Sequence, residues 1–336
     1  MTAGLEVLSN HWFPLARTDA VCDKPLRVVV FGTPLVVVRG SNREPWVFED
    51  RCPHRGAALS RGRLTSKGLT CSYHGWSFGA DGRCTNMPGY STNEPVDAVR
   101  LERFAARERD GLVWISSRGD NPLPERIQAL DASNRRFLWQ SRWAASVIDI
   151  QENFLDALHT HFVHPGLVRK TDRRKLVNVT LRTTGDGFHV DYSGQPEQSG
   201  LIFKLFESRR TRERAYLSAL STAQLEYQYA RNRTVWITLC CTPMAEASTH
   251  IFGMLHVNGR WAPSWLIRLL VWPFIRRVAR QDQNIVEHQQ RQRSEFSSHR
   301  DLIMPLDIVR PYLQHAWASQ NHPCPLPEEV KRTISL

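Results

Sequence analysis

Two short segments of the sequence each pair a cysteine with a histidine. The first is Cys52-x-His54 and the second is Cys71-x-x-His74, with sixteen residues between His54 and Cys71. Thiolate and imidazole groups at such close spacing are typical metal ligands. The spacing therefore predicts two hairpin loops that meet around a metal.

The order of these four residues bears on which metal they would bind. Two cysteines and two histidines can hold tetrahedral zinc, but zinc fingers place like ligands together, with the cysteine pair first. Here each segment contributes one thiolate and one imidazole. That order suits a [2Fe–2S] cluster in which both cysteines bind one iron and both histidines bind the other. Structural zinc is the alternative.

The wider motif C-P-H-R-G…C-x-Y-H-G-W-x-F resembles the Rieske [2Fe–2S] motif of the Rieske non-heme iron oxygenases. HWFPLA near the start and ERDGLVWI further on are similar to the same family's Rieske domain. Ser72 stands where these proteins often carry proline, and Asp110 where an aromatic residue is common. The resemblance implies four cluster ligands, which are Cys52, His54, Cys71 and His74.

A second group of polar residues lies in the segment DIQENFLDALHTHFVHPG. On a helix, Asn153, Asp156 and His159 are three residues apart and share one face. His164 is five residues beyond His159, so a regular helix would point it elsewhere. The Pro-Gly pair that follows predicts that the helix ends or distorts there, which would bring His164 back beside His159.

Two histidines need a carboxylate to form the facial triad of non-heme iron(II) oxygenases. A long helix predicted from about Pro263 to Ser297 offers Asp282 on its apolar stripe, where a carboxylate is costly unless it is paired with a cation or a metal. Glu287 lies off the stripe and is expected to be solvated. The stripe consists of Ile275, Val278, Ile285 and Val286.

The blocks N-x-x-D-x-x-H-x4-H and RQDQNIVE resemble the catalytic domain of the same oxygenase family. The resemblance implies that Asp156 bridges an iron-site histidine to a Rieske histidine of the neighbouring subunit, and that Asn153 lies near the iron. Family members often read Glu-Asp where this chain reads Gln281-Asp282. The resemblance implies three ligands of a mononuclear iron(II), which are His159, His164 and Asp282.

The pattern of strands and helices predicts an α+β protein of two domains. Residues 1–118 contain short β-branched runs separated by turns, and a polar stretch from about Gly119 to Ile127 is typical of a linker. Residues 175–258 alternate with period two, which predicts an antiparallel sheet with one buried side. One face of a strand would carry Val235, Ile237, Leu239 and Cys241.

We therefore predict an all-β Rieske domain at residues 1–118 and a catalytic mononuclear iron domain at residues 119–336. The family resemblance implies that the catalytic domain is a helix-grip domain of the START type. In that fold a curved antiparallel sheet and a long helix enclose an apolar pocket.

Composition narrows the expected partners and location. The net charge is +11, yet the 44 Lys and Arg residues form no long basic block and no nucleic-acid-binding motif is found. An acidic redox protein is therefore the expected partner, and nucleic acid is not. Seven scattered cysteines, with no signal-peptide pattern at the start, lead us to expect a cytoplasmic protein.

The most apolar segment runs from Trp261 to Ala279 and is interrupted by Arg268 and Pro273. It is too short and too broken to span a bilayer. We therefore expect a buried amphipathic helix rather than association with a membrane.

The family resemblance implies an oxygenase that uses O2, with subunits arranged head to tail as a homotrimer. No nucleotide-binding or flavin-binding motif occurs in the 336 residues, so electrons from NAD(P)H are expected to arrive through a separate reductase, directly or through a ferredoxin. We expect an apolar substrate, aromatic or polycyclic, that is hydroxylated or demethylated. The alternative is a Rieske electron-transfer or ligand-binding protein without oxygenase activity.

The arginines of ESRRTRERAYL, residues 207–217, allow two interpretations. They could border the mouth of the pocket, where they would attract an anionic substrate. Alternatively, they belong to a solvated charged loop, which is the more common role for such a run.

Overall fold

The computed structural model covers the chain with several gaps. It describes residues 7–40, 42–90, 99–120, 122–123, 135–169, 174–185, 187–193, 210–230, 233–258, 263–298, 300–318 and 326–336. The chain divides into two compact units, Met1–Leu123 and Pro124–Leu336. The predicted boundary after residue 118 lies a few residues before this division. Residues 121 and 124–127 of the predicted linker lie outside the described residues.

The first unit is built from short antiparallel strands. Those described are β1 Phe13–Arg17, β2 Leu26–Val30, β3 Thr33–Arg39, β4 Pro45–Glu49, β5 Arg63–Thr65, β6 Gly68–Thr70, β7 Ser77–Phe78, β8 Cys84–Asn86, β9 Arg103–Arg109 and β10 Leu112–Ser116. One sheet has the order β1-β10-β9-β4-β3-β2, and a smaller one has the order β5-β6-β7-β8.

The core of the first unit lies beneath the two Cys/His segments. Val36 and Val38 of β3 and Phe48 of β4 are fully buried, and they pack in one cluster with Cys52 and Cys71. Burying such β-branched and aromatic side chains supplies most of the stabilising free energy of a small sheet. The two cysteines are therefore anchored in this core.

The second unit is a large antiparallel sheet with helices. Its described strands are β11 Arg135–Trp143, β12 Leu176–Thr184, β13 Gly187–Ser193, β14 Arg210–Ala219, β15 Thr222–Tyr229, β16 Arg233–Ala245, β17 Ser248–Asn258 and β18 Glu329–Ser335. Its described helices are α1 Val147–Leu155, α2 Thr160–Val163, α3 Ser264–Leu270, α4 Trp272–Glu295 and α5 Arg310–Trp317. The sheet order is β11-β17-β16-β15-β14-β13-β12-β18. The predicted α+β class, an all-β unit followed by an antiparallel-sheet unit, is confirmed.

Helices pack along the length of the sheet. Leu313 of α5 is fully buried in a cluster with Leu181 of β12 and Leu217 of β14. Val286 of α4 packs with residues of β16, β17 and α1. Ile267 of α3 is buried against β11 and β17. The sheet and these helices together enclose the interior of the second unit.

The expectation that the sheet has a single buried side is wrong along β16. Val235 and Ile237 face an internal cavity, as predicted for that face. On the opposite face, however, Trp236 and Thr238 are 6% and 0% exposed, and Cys240 is fully buried too. Strict alternation of apolar and polar residues fails here because a strand that is buried on both faces needs no polar face.

The long helix predicted from Pro263 to Ser297 is two helices. α3 ends at Leu270, and α4 begins at Trp272 with Pro273 in its first turn. Proline has no backbone N–H and its ring clashes with the carbonyl four residues before it, so a continuous helix through Pro273 is disfavoured. The break falls at Val271, the residue between α3 and α4.

The apolar stripe assigned to this helix is partly wrong. Val286 is 3% exposed, as predicted, but Ile285 is 43% exposed. Glu287, expected to be solvated, instead accepts hydrogen bonds from the Ala144 N–H at 2.9 Å and the Gln283 amide at 2.8 Å. The buried face of α4 therefore includes Val286 but not Ile285, and Glu287 ties α4 to the residues that follow β11.

The predicted burial of the segment from Trp261 to Ala279 is also wrong on one face. Ile267 is buried, but Trp265 and Leu269, four residues apart on α3, are 67% and 63% exposed. Residues 261 and 262 lie outside the described part of the chain. Among the helices that the structure describes, none is at once long and apolar enough to cross a membrane.

Candidate metal centres

The four Cys and His residues of the first unit lie on two loops, one after β4 and one after β6. Cys52 and Cys71 are each 3% exposed, whereas His54 is half-buried and His74 is exposed. Burial raises the pKa of the Cys52 thiol, and a hydrogen bond with Cys71 raises it further. The two thiols are therefore neighbours on the buried side, and the imidazoles lie toward solvent.

Both loops turn in the same way at a glycine. The Gly56 N–H donates to the Cys52 carbonyl at 2.8 Å, and the Gly75 N–H donates to the Cys71 carbonyl at 3.2 Å. The φ angles of Gly56 and Gly75 are 73° and 74°. This left-handed conformation costs little for glycine and is strained for other residues. The chain thus presents two matching loops, each with a cysteine at its base.

The rings of the two histidines lie together. The His54 and His74 ring centroids are 4.4 Å apart, and the Trp76 ring stacks on His54 at 4.4 Å with an interplanar angle of 2°. The buried His54 Nδ1 makes no hydrogen bond in the part of the chain that is described. Paired buried thiols, paired imidazoles and a buried nitrogen available to a ligand fit a [2Fe–2S] cluster bound by two cysteines and two histidines.

The second unit brings together His159, His164 and Asp282. One potential ligand atom from each of the three lies within 4.8 Å of the others. The Asp282 Oδ1 is 2.9 Å from His164 Nε2 and 3.4 Å from His159 Nε2, and the two rings are nearly perpendicular. Two imidazoles and one carboxylate are the ligand set of the facial triad.

The contacts within this triad fit a cation better than they fit hydrogen bonds. Although His164 Nε2 and Asp282 Oδ1 are close, both are buried without a well-directed hydrogen-bond partner among the described residues. Burial raises the pKa of Asp282, but its contacts with the two histidines outweigh burial and hold that pKa below its usual value. Lone pairs that converge without being satisfied are what a metal ion would satisfy.

A turn at Asp156 positions the two histidines, and it differs from the prediction. The single helical face expected for Asn153, Asp156 and His159 is wrong, because α1 ends at Leu155 and Asp156 is extended, with φ −91° and ψ 127°. The Asp156 carboxylate accepts the Leu158 N–H at 3.1 Å. Such a local side-chain bond competes with helical hydrogen bonds and ends the helix.

After the turn at Asp156 the chain forms the short helix α2, which lies between the two histidines. His159 directly precedes α2 and His164 directly follows it, with φ −120° and ψ 51°. Gly166, with φ 72°, then lets the Gly166 N–H donate to the Arg169 carbonyl at 2.8 Å. The predicted end of the helix before Pro165 is present, and the two histidines flank one short helix.

Asn153 and Asp156 lie beside the triad. Both line the cavity described below. Burial raises the pKa of Asp156, and the opposing influence of His159 is weaker. Within the described residues, Asp156 makes no hydrogen bond to His159, and the Asn153 side chain makes none at all. Their predicted roles therefore rest on their position alone.

Gln281 is a site residue whose role the sequence did not reveal. Its Oε1 lies 3.0 Å from His164 Nδ1. Because a carbonyl oxygen only accepts, Nδ1 carries the proton and Nε2 is left to face Asp282. A hydrogen bond from the ring nitrogen that does not bind the metal fixes the tautomer and the orientation of a histidine ligand. The sequence does mark this position, because it reads Gln281-Asp282 where family members often read Glu-Asp.

Removing the Gln281 amide is expected to weaken metal binding at the triad. Gln281→Leu keeps the size of the side chain but leaves His164 Nδ1 without an acceptor, so affinity should fall by about 10- to 100-fold. Competition between the protein and a chelator for Co(II) measures this directly. Gln283→Leu is the matched control, since Gln283 bonds to Arg142 and Glu287 on another face of α4. Equal Co(II) affinity for Gln281→Leu and wild type would refute the role.

Ionic contacts hold α1 in place, just before the segment that carries His159 and His164. Asp149, 3% exposed, accepts from Arg293 of α4 at 2.6 Å and from Arg310 of α5 at 2.5 Å. Arg310 also pairs with Glu152 at 2.7 Å. The network joins the helix that leads to Asp156 to the helix that carries Asp282. It therefore holds α1 against α4 and α5.

An apolar cavity of about 260 Å³ opens beside the triad. Its walls come from the sheet and from α4, and His159, His164 and Asp282 all line it. Trp139 reaches the cavity across Gly253, where a Cβ atom would lie 2.1 Å from the indole ring. A concave, mostly apolar space with a few polar groups is the usual form of a small-molecule site.

Comparisons with protein-family models match both units. Residues 11–103 match the Rieske [2Fe-2S] domain, and residues 143–309 match the vanillate O-demethylase oxygenase C-terminal domain. The first match contains Cys52, His54, Cys71 and His74. The second contains His159, His164 and Asp282.

Known proteins with similar sequences cover part of the chain. The 3-chlorobenzoate-3,4-dioxygenase oxygenase subunit of Comamonas testosteroni is 30% identical over 170 residues, 48% of this chain and 38% of the relative. The methylxanthine N1-demethylase NdmA of Pseudomonas putida is 32% identical over 171 residues, 48% of each protein. The matched region thus spans less than half the length of these relatives.

Similarity in fold extends further than similarity in sequence. The structure of dicamba monooxygenase bound to 3,6-dichlorosalicylic acid superposes with a TM-score of 0.76 at 20% identity, and covers 92% of this chain and 96% of that one. The predicted resemblance is confirmed by the two family models in this order along the chain. The chain belongs to the Rieske oxygenases, with a Rieske domain followed by a catalytic domain of the vanillate O-demethylase type.

Proposed function

We propose that the chain is the oxygenase component of a Rieske non-heme iron system that hydroxylates or demethylates a planar apolar small molecule. The observation that carries the proposal is the position of the triad. His159, His164 and Asp282 converge at the wall of an apolar cavity, and the same chain carries a set of Rieske-type ligands. A protein that only transferred electrons would have no need of such a triad.

In this proposal each ligand set holds its own group. Cys52, His54, Cys71 and His74 would hold the [2Fe–2S] cluster, and His159, His164 and Asp282 would hold iron(II). A three-ligand iron(II) supplies open coordination positions and redox chemistry for the activation of O2. One carboxylate with two neutral imidazoles leaves a net positive charge at the iron, which favours anionic or polarisable partners.

The residues around the triad would exclude water, orient a ligand histidine and contact the substrate. The apolar walls exclude water from the reacting centre, and Gln281 holds His164 in one tautomer. Asn153 offers an amide to the cavity, where it can donate to or accept from a substrate. The raised pKa of Asp156 suits a carboxyl group that passes a proton or bridges to an imidazole. We propose that it meets a Rieske histidine of a neighbouring subunit in a homotrimer.

The electron supply completes the proposal. Electrons from NAD(P)H would enter through a separate reductase, directly or through a ferredoxin, that docks on the basic surface of a cytoplasmic oxygenase. The excess of positive charge, +11 for the chain, favours an acidic partner and predicts docking that weakens as salt rises.

Metal content and turnover test this function together. Anaerobically purified protein is expected to contain about three irons and two acid-labile sulfides per chain. With a surrogate ferredoxin and reductase, it should consume O2 in step with product formed from a methoxylated aromatic compound. Fully loaded protein with two irons per chain and no O2 uptake would support the electron-transfer alternative instead.

A further inference from the structure

One side of α3 exposes large apolar side chains to solvent. Trp265 and Leu269 lie one helical turn apart and are 67% and 63% exposed, and Leu270 beside them is 47% exposed. A single exposed leucine is common on a protein surface, whereas a contiguous group of large apolar side chains marks a surface that binds a protein or a membrane. The prediction of no association with a membrane assumed that this segment is buried, and this side of it is not.

The backbone stays helical from α3 into α4. Val271, which separates them, has φ −92° and ψ −37°. Its N–H donates to the Ile267 carbonyl at 2.7 Å, and its carbonyl accepts the Ile275 N–H at 3.1 Å. Side-chain positions can therefore be counted from one helix into the next at about 100° per residue.

Arginines extend the exposed side of α3 into α4. By this count, Arg276 and Arg280 lie within about 60° of Trp265 around the helix axis. Four arginines of these helices are exposed, and none forms a hydrogen bond or an ion pair through its side chain within the described part of the chain; they are Arg268, Arg276, Arg277 and Arg280. The sequence has no Asp or Glu from Ser264 to Gln281. Apolar side chains and unpaired positive charges thus share one surface.

The arginine-rich segment 207–217 differs from this surface. Arg210 lines the cavity, as the first interpretation of that segment expected, but it pairs with Glu213 at 2.7 Å. Arg214 pairs with Asp191 at 2.5 Å. Residues 207–209 lie outside the described part of the chain. Acidic neighbours therefore neutralise arginines of β14, whereas those of α3 and α4 still lack an anionic partner.

The opposite side of the same helices lines the cavity. The lining residues of α3, α4 and the residue between them are Ile267, Val271, Phe274, Ile275, Val278, Ala279 and Asp282. Ile267 is only 4% exposed, although Trp265 and Leu269 on either side of it are exposed. One helix therefore separates the cavity from the apolar and basic surface.

We infer that α3 and the first half of α4 bind the surface of an anionic phospholipid bilayer. Trp265 and Leu269 would enter the headgroup region, since tryptophan is favoured at the interface between membrane and water. The arginines would lie beside the lipid phosphates, where each basic residue contributes to binding. An acidic protein would account for the arginines but not for the exposed apolar side chains. A second copy of the chain, with its own net charge of +11, is a poor match for this basic surface.

The inference does not depend on the proposed function. If both hold, the substrate cavity lies one helix away from the bilayer.

Flotation of the holoenzyme with lipid vesicles tests the inference directly. One set of vesicles is phosphatidylcholine, and the other is an equimolar mixture of phosphatidylcholine and phosphatidylglycerol. The protein is expected to float with the anionic vesicles, to bind the neutral ones weakly, and to dissociate as salt rises. Trp265→Ser should weaken binding to the anionic vesicles by about 10-fold, because burial of a large apolar side chain contributes at least that much.

Matched controls lie toward the other edge of the sheet. α3 packs against β11, one edge strand, whereas β12 and β18 are the last two strands at the opposite edge. Leu176→Ser on β12 removes an apolar side chain that is 73% exposed, and it should bind vesicles like the wild type. Arg276→Gln and Arg280→Gln should each lower binding to anionic vesicles by about 5-fold. Arg332→Gln on β18 also removes an exposed arginine and should have no such effect.

Three results would overturn the inference. The first is equal binding of the wild type to neutral and anionic vesicles, or no binding to either. The second is wild-type binding by Trp265→Ser. The third is a change in the oligomeric state of Trp265→Ser, measured by light scattering, with vesicle binding retained, which would assign the surface to a second copy of the chain.

Discussion

Asp282→Ala is expected to abolish oxygenase activity while leaving the first unit intact. The variant loses the only carboxylate of the triad in the described structure, and two imidazoles alone bind iron(II) weakly. Mutation of a residue that only hydrogen-bonds to a metal ligand typically lowers metal affinity by about 10- to 100-fold. Loss of a ligand itself should therefore lower iron affinity by more than about 100-fold. Iron content should fall from about three to about two atoms per chain, with the reduced-cluster EPR spectrum unchanged.

The control for this variant is Glu287→Gln. Glu287 is a carboxylate of the same helix, but it accepts hydrogen bonds from Ala144 and Gln283 and takes no part in the triad. It should keep its iron and its activity. Full activity in Asp282→Ala, or an equal loss of iron in both variants, would rule out Asp282 as a ligand.

Asp149→Ala is expected to lower the free energy of unfolding of the second unit by about 3 to 5 kcal/mol, as for a broken buried ion pair. Removal of the carboxylate leaves Arg293 and Arg310 without the acceptor that joins them, and the Ser146 hydroxyl loses its partner at 2.6 Å. This is a large share of the total stability of a typical domain. Urea unfolding followed by tryptophan fluorescence measures it, while the visible absorbance of the cluster reports on the first unit.

The effect should depend on pH in a defined direction. Burial raises the pKa of Asp149, but hydrogen bonds from Arg293 and Arg310 outweigh burial and bring that pKa below its ordinary value of 3.8. The unfolded chain therefore binds this proton more readily than the folded chain does. The stabilisation is complete above the ordinary pKa and is lost as pH falls through the folded value. The difference between wild type and Asp149→Ala should stay constant from about pH 7 to pH 5 and shrink below about pH 4.

Asp301→Ala provides the matched comparison. Asp301 pairs with the same Arg293, but its side chain is 57% exposed. An exposed ion pair contributes roughly 1 kcal/mol or less. If Asp301→Ala and Asp149→Ala destabilised the unit equally, burial of the Asp149 network would not be the source of its stabilising effect.

The parts of the molecule that the sequence predicts well depend on short stretches of chain. The spacing of Cys52, His54, Cys71 and His74 lies within a few dozen residues, and the loops that carry them follow from Gly56 and Gly75. The period-two runs predict strands because alternation is a local property of extended chain. Local patterns of this kind survive folding with little change.

The errors arise where distant contacts or a single side chain decide the structure. The turn at Asp156 depends on a bond to the Leu158 N–H, and that bond defeats the helical spacing of Asn153 and His159. Both faces of β16 are buried, so the alternation that predicts an exposed face is uninformative there. Arg210 and Glu213, three residues apart on β14, are both buried because the register with β15 shifts between Arg210 and Arg212, and period-two counting cannot anticipate such a shift.

The two ring nitrogens of His164 contact Asp282 and Gln281, which are consecutive residues of α4. Each residue advances an α-helix by about 100°. A single inserted or deleted residue in α4 ahead of Gln281 would therefore swing both contacts away from the ring at once. Substitutions on the exposed face of α4 leave these contacts in place, but changes in its length before Gln281 would need to be compensated within the same helix. The contacts with the His164 imidazole thus fix the position of Gln281 and Asp282 along α4.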